Sequence, residues 1–568
     1  MSSYAGKTKG EDSSGPSSYG GNGPYAPLSG SSEVVGESAP LLATITMSTA
    51  SSVAGFNYDA NRPAQDRMWS WVFAVCFIVC VSMGIHGATN VNPRYRDAFT
   101  KDFMSDPANC PAEPSRRMLI ENEPPQIDPH VFGKAAAAAL VASSAASVAL
   151  GLMLVKAAER NAHAMLNFAA GTQVALPAFA AVLNLIAGNV VGAVIFGLFA
   201  LFMGWLMNRW RHFFDLCARL ISVAATALTN NPMLVPVVLL LKLGGLLVVL
   251  PMITLMVVSL TNGHIVPNPY VDSSGTGGVC QNAEGTDVPC CMWEVKPWVN
   301  AYFALGSIFC LWTMMIVFEM RTFVTASVAT QWYYQPVGSP PLGNSAITRA
   351  VGHAFGPSFG SVTYGGLILT WVQIMKDAAN KMQRERNIFS ILLGCIMACL
   401  LELIEFLTKF ATIRCAVTGE AFCEAARNAT DLLKRNLLPT VGVWYFPPMV
   451  LGLFSFILSV VCAVAAFFVA RFSFEGELSL VLTESILLAF FVFFIVLVGV
   501  SFFANLLLSV VDAVFMCYAS DKDRSVVTHV EIHDVFQAVP MSTMPGPVIS
   551  QPDGEIGYGR PVEGERAV

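Results

Sequence analysis

Long apolar runs alternate with short polar joints along most of this chain, and their lengths set the first expectation. A bilayer core of roughly 30 Å takes about 20 apolar helical residues. Ten stretches meet that measure: 69–89, 135–155, 164–186, 188–207, 233–260, 298–322, 357–376, 387–410, 441–470 and 482–516. A polar, Pro-containing loop sets the first span apart from the second, whereas spans two to four follow one another closely. The seventh is unlike the rest. HAFGPSFGSVTYGGLILTWVQ, residues 353–373, carries four glycines, two serines, two threonines and a tyrosine. Gly356 and Gly360 make a small-xxx-small step, continued by Ser361 and Gly365, of the kind that lets a neighbouring helix approach closely. Pro357 and the Gly365–Gly366 pair are compatible with a break, which a membrane tolerates only where protein covers the backbone or a cavity adjoins it. Two further stretches have one apolar and one charged face: RWRHFFDLCARLISVAATAL (209–228) and VTGEAFCEAARNATDLLKRNLL (417–438). In the second, Phe422, Ala426 and Leu433 oppose Glu424, Arg427, Asp431 and Lys434, so both are expected to lie along the membrane surface.

The ends differ in kind. Residues 1–67 are rich in Ser, Gly, Pro and Ala and read as a disordered tail, as do residues 519–568. Between them the pattern gives a separated first helix (68–89), an outer loop (90–133) and a membrane core (134–518) that includes an outer, Cys-containing loop at 263–297. The first span is expected to act as an uncleaved anchor, because no cleavable signal precedes it. Lys156 and Arg160 after span two, and Arg209, Arg211 and Arg219 after span four, place those joints and both termini in the cytosol. Cys280, Cys290 and Cys291 then share the oxidising side with Cys110. Adjacent Cys290 and Cys291 pair awkwardly, which leaves two full pairings, Cys110 with Cys290 or with Cys291 and Cys280 with the other, or one disulfide beside two free thiols. One joint resists: KDAANKMQRERN, with Lys376, Lys381, Arg384 and Arg386, would face outward against the positive-inside tendency, so 357–376 and 387–410 are not both secured as full crossings. The sequon at Asn428 falls on the cytosolic side and is expected to be unused.

Composition agrees with the pattern. Of 568 residues 54% are hydrophobic and 13% charged, and the mean hydropathy is +0.57. The expectation is an all-α polytopic membrane protein of about ten transmembrane helices, with amphipathic cytosolic helices and disordered termini. A formal charge of -6 without a basic array argues against nucleic acid as a partner. No catalytic signature, cofactor motif or metal-ligand cluster stands out, so an enzyme is unsupported.

Ionisable groups within the spans are costly, about 2.5–3.5 kcal/mol each on insertion scales, and mark candidate function. They are Lys242, Glu319, Arg321, Glu402, Glu405, Lys409, Glu484 and Asp512. Glu405 and Lys409 have the spacing and order of a helical ion pair. That leaves Glu402 uncompensated. Glu319 and Arg321 sit near a span end and are expected to extend toward the interface. Lys242 is expected to reach an interface or a carboxylate. Asp512 shares a face with Asn505. Among the aromatic residues, Trp312, Tyr364 and Trp371 lie deepest, with the last two on one helical face. Rings so placed hold quaternary ammonium groups by cation-π attraction.

Several strings go beyond composition. VTASVATQWYY, FGSVTYGGLILTWVQIMKDAANKMQRERN, CLLELIEFLTKFATIRCAVTGEAFCEAARNATDLLKRN and SVVDAVFMCYASDKDR resemble, in order, signature segments of the choline transporter-like family of solute carriers. The resemblance implies facilitated, sodium-independent movement of choline, and of ethanolamine, with proton exchange, across plasma or organelle membranes; for this chain a plasma-membrane location is expected ahead of an endomembrane one. On this reading Trp312, Tyr364 and Trp371 surround the ammonium and Glu402 or Asp512 supplies counter-charge. A non-transporting membrane scaffold, or a carrier of another amine, stays open at this point.

Overall fold

A computed structural model describes residues 62–95, 129–268, 280, 289–335, 343–385, 387–473, 478–524 and 528; Cys110 and most of the expected tails lie outside them, but 62–67 and 519–524, assigned to those tails, are described, the latter as the end of a helix. Twelve helices are described among these: α1 (Arg67–Thr89), α2 (Pro129–Ile186), α3 (Val190–Arg209), α4 (Arg211–Asn230), α5 (Leu234–Ser259), α6 (Pro297–Tyr333), α7 (Gly343–Phe355), α8 (Phe359–Gln383), α9 (Ile388–Thr418), α10 (Phe422–Arg435), α11 (Leu437–Ser473) and α12 (Leu478–Arg524). Eight of them are long and apolar enough to cross a membrane: α1, α2, α3, α5, α6, α9, α11 and α12. The second and third expected spans are both contained in α2, which leaves helical geometry at Asn161 (φ -131°). That kink falls in the polar stretch between the two apolar halves, and the Ser222 hydroxyl of α4 donates to the Glu159 carbonyl beside it at 2.8 Å. Helix α8 is not one of the eight.

The bundle is built from antiparallel neighbours: α8 on α9, α11 on α12, and α5 on α6, with α2 and α4 packed against α12. At its centre lies the second half of α6. From Glu319 to Gln331 every residue is buried, so this stretch is covered on all sides by α7, α8, α9, α12 and α4. A helix enclosed all round has no outward face to make polar. That is why Glu319 and Arg321 do not extend to an interface as expected: the helix continues 11 residues past 322, to Tyr333, and its covering helices go with it.

Both amphipathic stretches are helices, and protein covers their apolar faces. Leu216, Cys217, Leu220, Ile221, Ala224 and Ala225 of α4 are wholly buried, against α2 and α12. In α10, Phe422, Ala425, Ala429, Leu432 and Leu433 are buried, with α9 as the main neighbour. The basic joint after span seven also differs from expectation. Most of it is helix, since α8 runs to Gln383 and α9 starts at Ile388.

The Cys-containing loop holds the strands. β1 (Gly263–Pro267) pairs antiparallel with β2 (Cys291–Val295), Gly263 opposite Val295. The Trp293 indole donates to the Leu260 carbonyl at 2.9 Å and the Asn92 amide to the Gly263 carbonyl at 2.8 Å. This fastens the hairpin to the ends of α5 and α1. Cys280 is joined to Cys290, and buried Cys291 is disulfide-bonded as well.

Candidate functional site

The seventh span is broken at Pro357, whereas the other expected break, at Gly365–Gly366, does not occur, since α8 runs continuously through it. α7 ends at Phe355, residues 356–358 leave the helix, and α8 starts at Phe359. The segment 62–66 lies across this break. The Gln65 amide donates to the Pro357 carbonyl at 3.1 Å. Gly360 is where the two backbones touch: a β-carbon there would overlap the carbonyl oxygens of Asp66 and Gln65. The small-residue step therefore receives an extended strap rather than a helix. Gly365 and Gly366 do face a helix, since a β-carbon on Gly366 would sit 2.9 Å from the Ile316 amide nitrogen of α6. At Gly356 the only group in the way is the Gly352 carbonyl of α7.

The same strap closes two helix ends that their own residues leave open. The final carbonyls of a helix lack intrahelical donors. The Arg62 guanidinium donates to those of Ala416 and Val417, both at 3.0 Å. α9 then stops at Gly419, whose left-handed conformation (φ 76°) suits a residue without a β-carbon. α10 starts after Ala421, which offers no side-chain cap. Asp66 supplies one from elsewhere, its carboxylate accepting from the Phe422 amide at 2.8 Å and the Ser361 hydroxyl at 2.6 Å. Asp66 itself adopts φ 52°, a conformation that costs a non-glycine residue energy and is held here by those bonds. Between the helices, Glu420 accepts from Arg414 and Asn428 at 3.1 Å. Burial alone would raise its pKa, yet these donors hold it below the usual carboxylate value.

Aromatic rings fill the angle between strap and break. Tyr364 stacks on Trp69 with centroids 4.7 Å apart and meets the edge of Phe422 at 5.3 Å. One residue back, the Thr363 carbonyl accepts from the indole of Trp312 at 3.0 Å, and Trp312 packs edge-on against Phe73. Sequence reading brought Trp312 and Tyr364 together, and the structure places them on adjoining turns of contact around α8.

Behind Tyr364 lies Glu319. Its side chain is fully buried, and no donor meets either carboxylate oxygen in good hydrogen-bond geometry, although the Thr412 hydroxyl adjoins it and Arg321 and Lys409 act on it from farther off. Three other helices reach the same spot: the β-carbon position of Gly365 is 2.9 Å from Phe422, 3.4 Å from Thr412 and 3.5 Å from the Glu319 carboxyl carbon. The remaining intramembrane charges are differently disposed. Lys409 pairs with Asp512 across α9 and α12, not with Glu405, which instead pairs with Lys376 of α8. The i,i+4 pairing is displaced because each group has a partner on a neighbouring helix. Arg321 lies over the Phe318 ring at 4.6 Å and Lys242 over Phe502 at 4.8 Å.

Trp371 and Glu402 do not join this cluster. Trp371 is 61% exposed, because the strap and α1 meet α8 only around residues 357–364 and nothing comparable covers the next two turns. Glu402 stands on the outward face of α9 beside exposed Leu400 and Leu403. Asp512 is inside but already engaged by Lys409. Sequence reasoning missed Asp66, Trp69, Phe422 and Thr412, and it misplaced Glu319. Only Glu319 had a readable signal, as a carboxylate in an apolar helix with no lysine or arginine three or four residues away. An open cleft of about 630 Å³ beside the contact between strap and break is lined by Arg62–Gln65, Arg67, Ser70, Gly356, Pro357 and Gly360; none of the candidate residues except Gly356 and Gly360 lines it. Among the described residues no group of side chains has the makings of a metal site.

The comparisons with known proteins converge on the same part of the chain. Residues 194–523 match a family described as plasma-membrane choline transporter. A CTL-like protein of Dictyostelium discoideum is 25% identical over 248 residues, 42% of this chain and 44% of that relative. Choline transporter-like 2 of Anopheles gambiae is 27% identical over 250 residues, 42% of this chain and 31% of its own length. For choline transporter-like protein 5 of Mus musculus the figures are 28% over 235 residues, 38% and 32%. The chain thus aligns with less than half the length of these relatives. The family match takes in α4 to α12 almost entire, with Glu319, Tyr364, Phe422 and both hinged joints, and this chain belongs to the plasma-membrane choline transporter family.

Proposed function

We propose that this protein moves choline, or an organic amine close to it, across a membrane, with Glu319 as the counter-charge and Tyr364, Phe422 and Trp312 as the aromatic walls of the binding site. The observation that carries this reading is the carboxylate of Glu319, fully buried and with no well-formed hydrogen bond, beside a ring-lined angle between helices. An isolated buried carboxylate is expensive unless something cationic offsets it. A quaternary ammonium offers one positive charge, no hydrogen-bond donors and an apolar shell. Those properties suit a carboxylate beside aromatic faces, where cation-π attraction is worth about 2 kcal/mol or more once water is excluded. Sodium independence, exchange against protons, cytosolic termini and a plasma-membrane location are part of the same proposal and follow from the family resemblance.

Glu319 has no exposed surface, so a ligand reaches it only after the helices around it move; access on alternate sides is the expected mode. Uptake of radiolabelled choline into proteoliposomes tests the reading. Saturable uptake that competes with unlabelled choline and persists without sodium supports it. Folded, reconstituted protein that shows no saturable uptake ends it.

A further inference from the structure

The strap at Arg62–Asp66 bridges the two hinges that flank the proposed site. One hinge is the break at 356–358 between α7 and α8; the other is the joint at 419–421 between α9 and α10. Arg62 holds the last turn of α9, Asp66 holds the first residue of α10 and, through Ser361, the first turn of α8, and Gln65 holds Pro357 in the break. Immediately beyond, Trp69 lies flat on Tyr364. These contacts are polar or aromatic, and they join segments far apart in the chain at buried positions, among them Arg62, Ser361, Ala416 and Phe422. Undoing them exposes these groups to water and frees both hinges together. The fastening is also strained at Asp66, whose left-handed conformation is relieved on release.

We infer that residues 62–66 are a latch: bound as seen, they hold Tyr364 and Phe422 closed over Glu319, and their release opens the proposed site toward the end of the bundle where Arg62 lies. Asp66 is the positioning residue of this device, acting on the site through Ser361 and Phe422. The inference rests on the transport reading for its functional meaning, but the opening itself has an independent readout. Cys415 lies in the last turn of α9, is 1% exposed, and has its carbonyl within 3.4 Å of Arg62. Release of the strap uncovers it.

Two experiments address the latch. In the first, Asp66→Cys with Ser361→Cys is made in a Cys423→Ser background and reconstituted. Oxidation fixes strap to α8, and choline uptake falls at least about tenfold and returns on reduction, because a gating motion has been blocked. Equal uptake by the oxidised and reduced protein means that the strap is a static clamp, and the inference fails. In the second, alkylation of Cys415 is followed by peptide mass spectrometry in folded, detergent-purified protein without any transport assay. Asp66→Asn accelerates it by about tenfold or more, as expected if the bonds removed set the closed population. An unchanged rate overturns the latch even if choline is transported. Conversely, a wild-type protein that moves no choline, yet whose Cys415 responds in this way, keeps the latch and loses the transport reading.

Discussion

Glu319 departs furthest from the usual behaviour of a buried charge, and substitution there has opposite consequences for stability and for activity. A carboxylate that holds a structure together loses stability when neutralised, since its donors are stranded. Glu319 has no well-formed donor bond to strand, only the adjoining Thr412 hydroxyl. Glu319→Gln removes an uncompensated charge while keeping the shape, so the melting temperature holds or rises. Choline uptake falls by about tenfold or more, the equivalent of ~1.4 kcal/mol of lost attraction. A substantial drop in melting temperature would assign Glu319 a structural role instead. The contrast with Asp512 is instructive, because both were visible in the sequence as isolated acids in apolar helices. What separated them was whether a lysine on another helix reached them, and pairing between helices leaves no mark at i,i+3 or i,i+4 spacing. For the same reason Lys409 looked committed to Glu405, although its partner is 103 positions away at Asp512. Tyr364 and Trp371 show the other limit. Seven-residue spacing put them on one face of α8 correctly, but how far along that face its neighbours extend depends on where α1 crosses.

At the scale of elements, apolar length was the dependable signal, and nine of the ten expected spans lie within the eight long apolar helices because α2 holds two of them. The break at 356–358 was legible from Pro357 and the glycines around it. The function of Gly360 was not, since the strap that occupies it is a short polar segment with no periodicity. α7 escaped notice too, being only 13 residues long, and its chemistry yields a test. His353 is buried on α7, and burial, with Arg62 and Arg349 nearby, pushes its pKa down to about 4. A neutral folded-state histidine binds fewer protons than the unfolded chain whenever the pH lies between that value and the ordinary 6.5. Its contribution is therefore complete above pH 6.5 and is lost as the pH falls from 6.5 toward 4. Thermal melts of the purified protein across that window show a declining midpoint, and His353→Gln reduces the decline specifically in its upper part, before carboxylates begin to titrate. A wild-type and variant pair with parallel pH profiles would remove His353 from the account.

The whole molecule has two ends whose contents are fixed by the helices that connect them. α1 starts at the strap and finishes against the β hairpin, where Asn262 donates to the Gly87 carbonyl at 2.8 Å. α9 finishes at the strap, and α8 runs antiparallel to it, with Gly394 of α9 packed against Ala379 and Gln383 of α8. The joint between α8 and α9 therefore belongs to the end that carries the Cys280–Cys290 disulfide, and the strap, Glu420 and Asn428 belong to the other. That arrangement keeps Arg384 on the disulfide side, contrary to the usual distribution of basic residues. Lys376, which added to that anomaly in the sequence, is neutralised inside the bundle by Glu405. Single cysteines at Arg384 and Ala64, probed in sealed vesicles of known orientation with a membrane-impermeant maleimide, decide the matter. The two label from opposite faces, and Arg384→Cys labels from the face on which the 280–290 loop is accessible to protease. Labelling of both from one face would mean that α8 and α9 turn back within the membrane. Asn428 gives a second reading of the same geometry: its amide is held by Glu420 on the strap side, so the sequon stays unmodified in a glycosylating host, and a glycan there would place the strap on the side where the disulfide is expected.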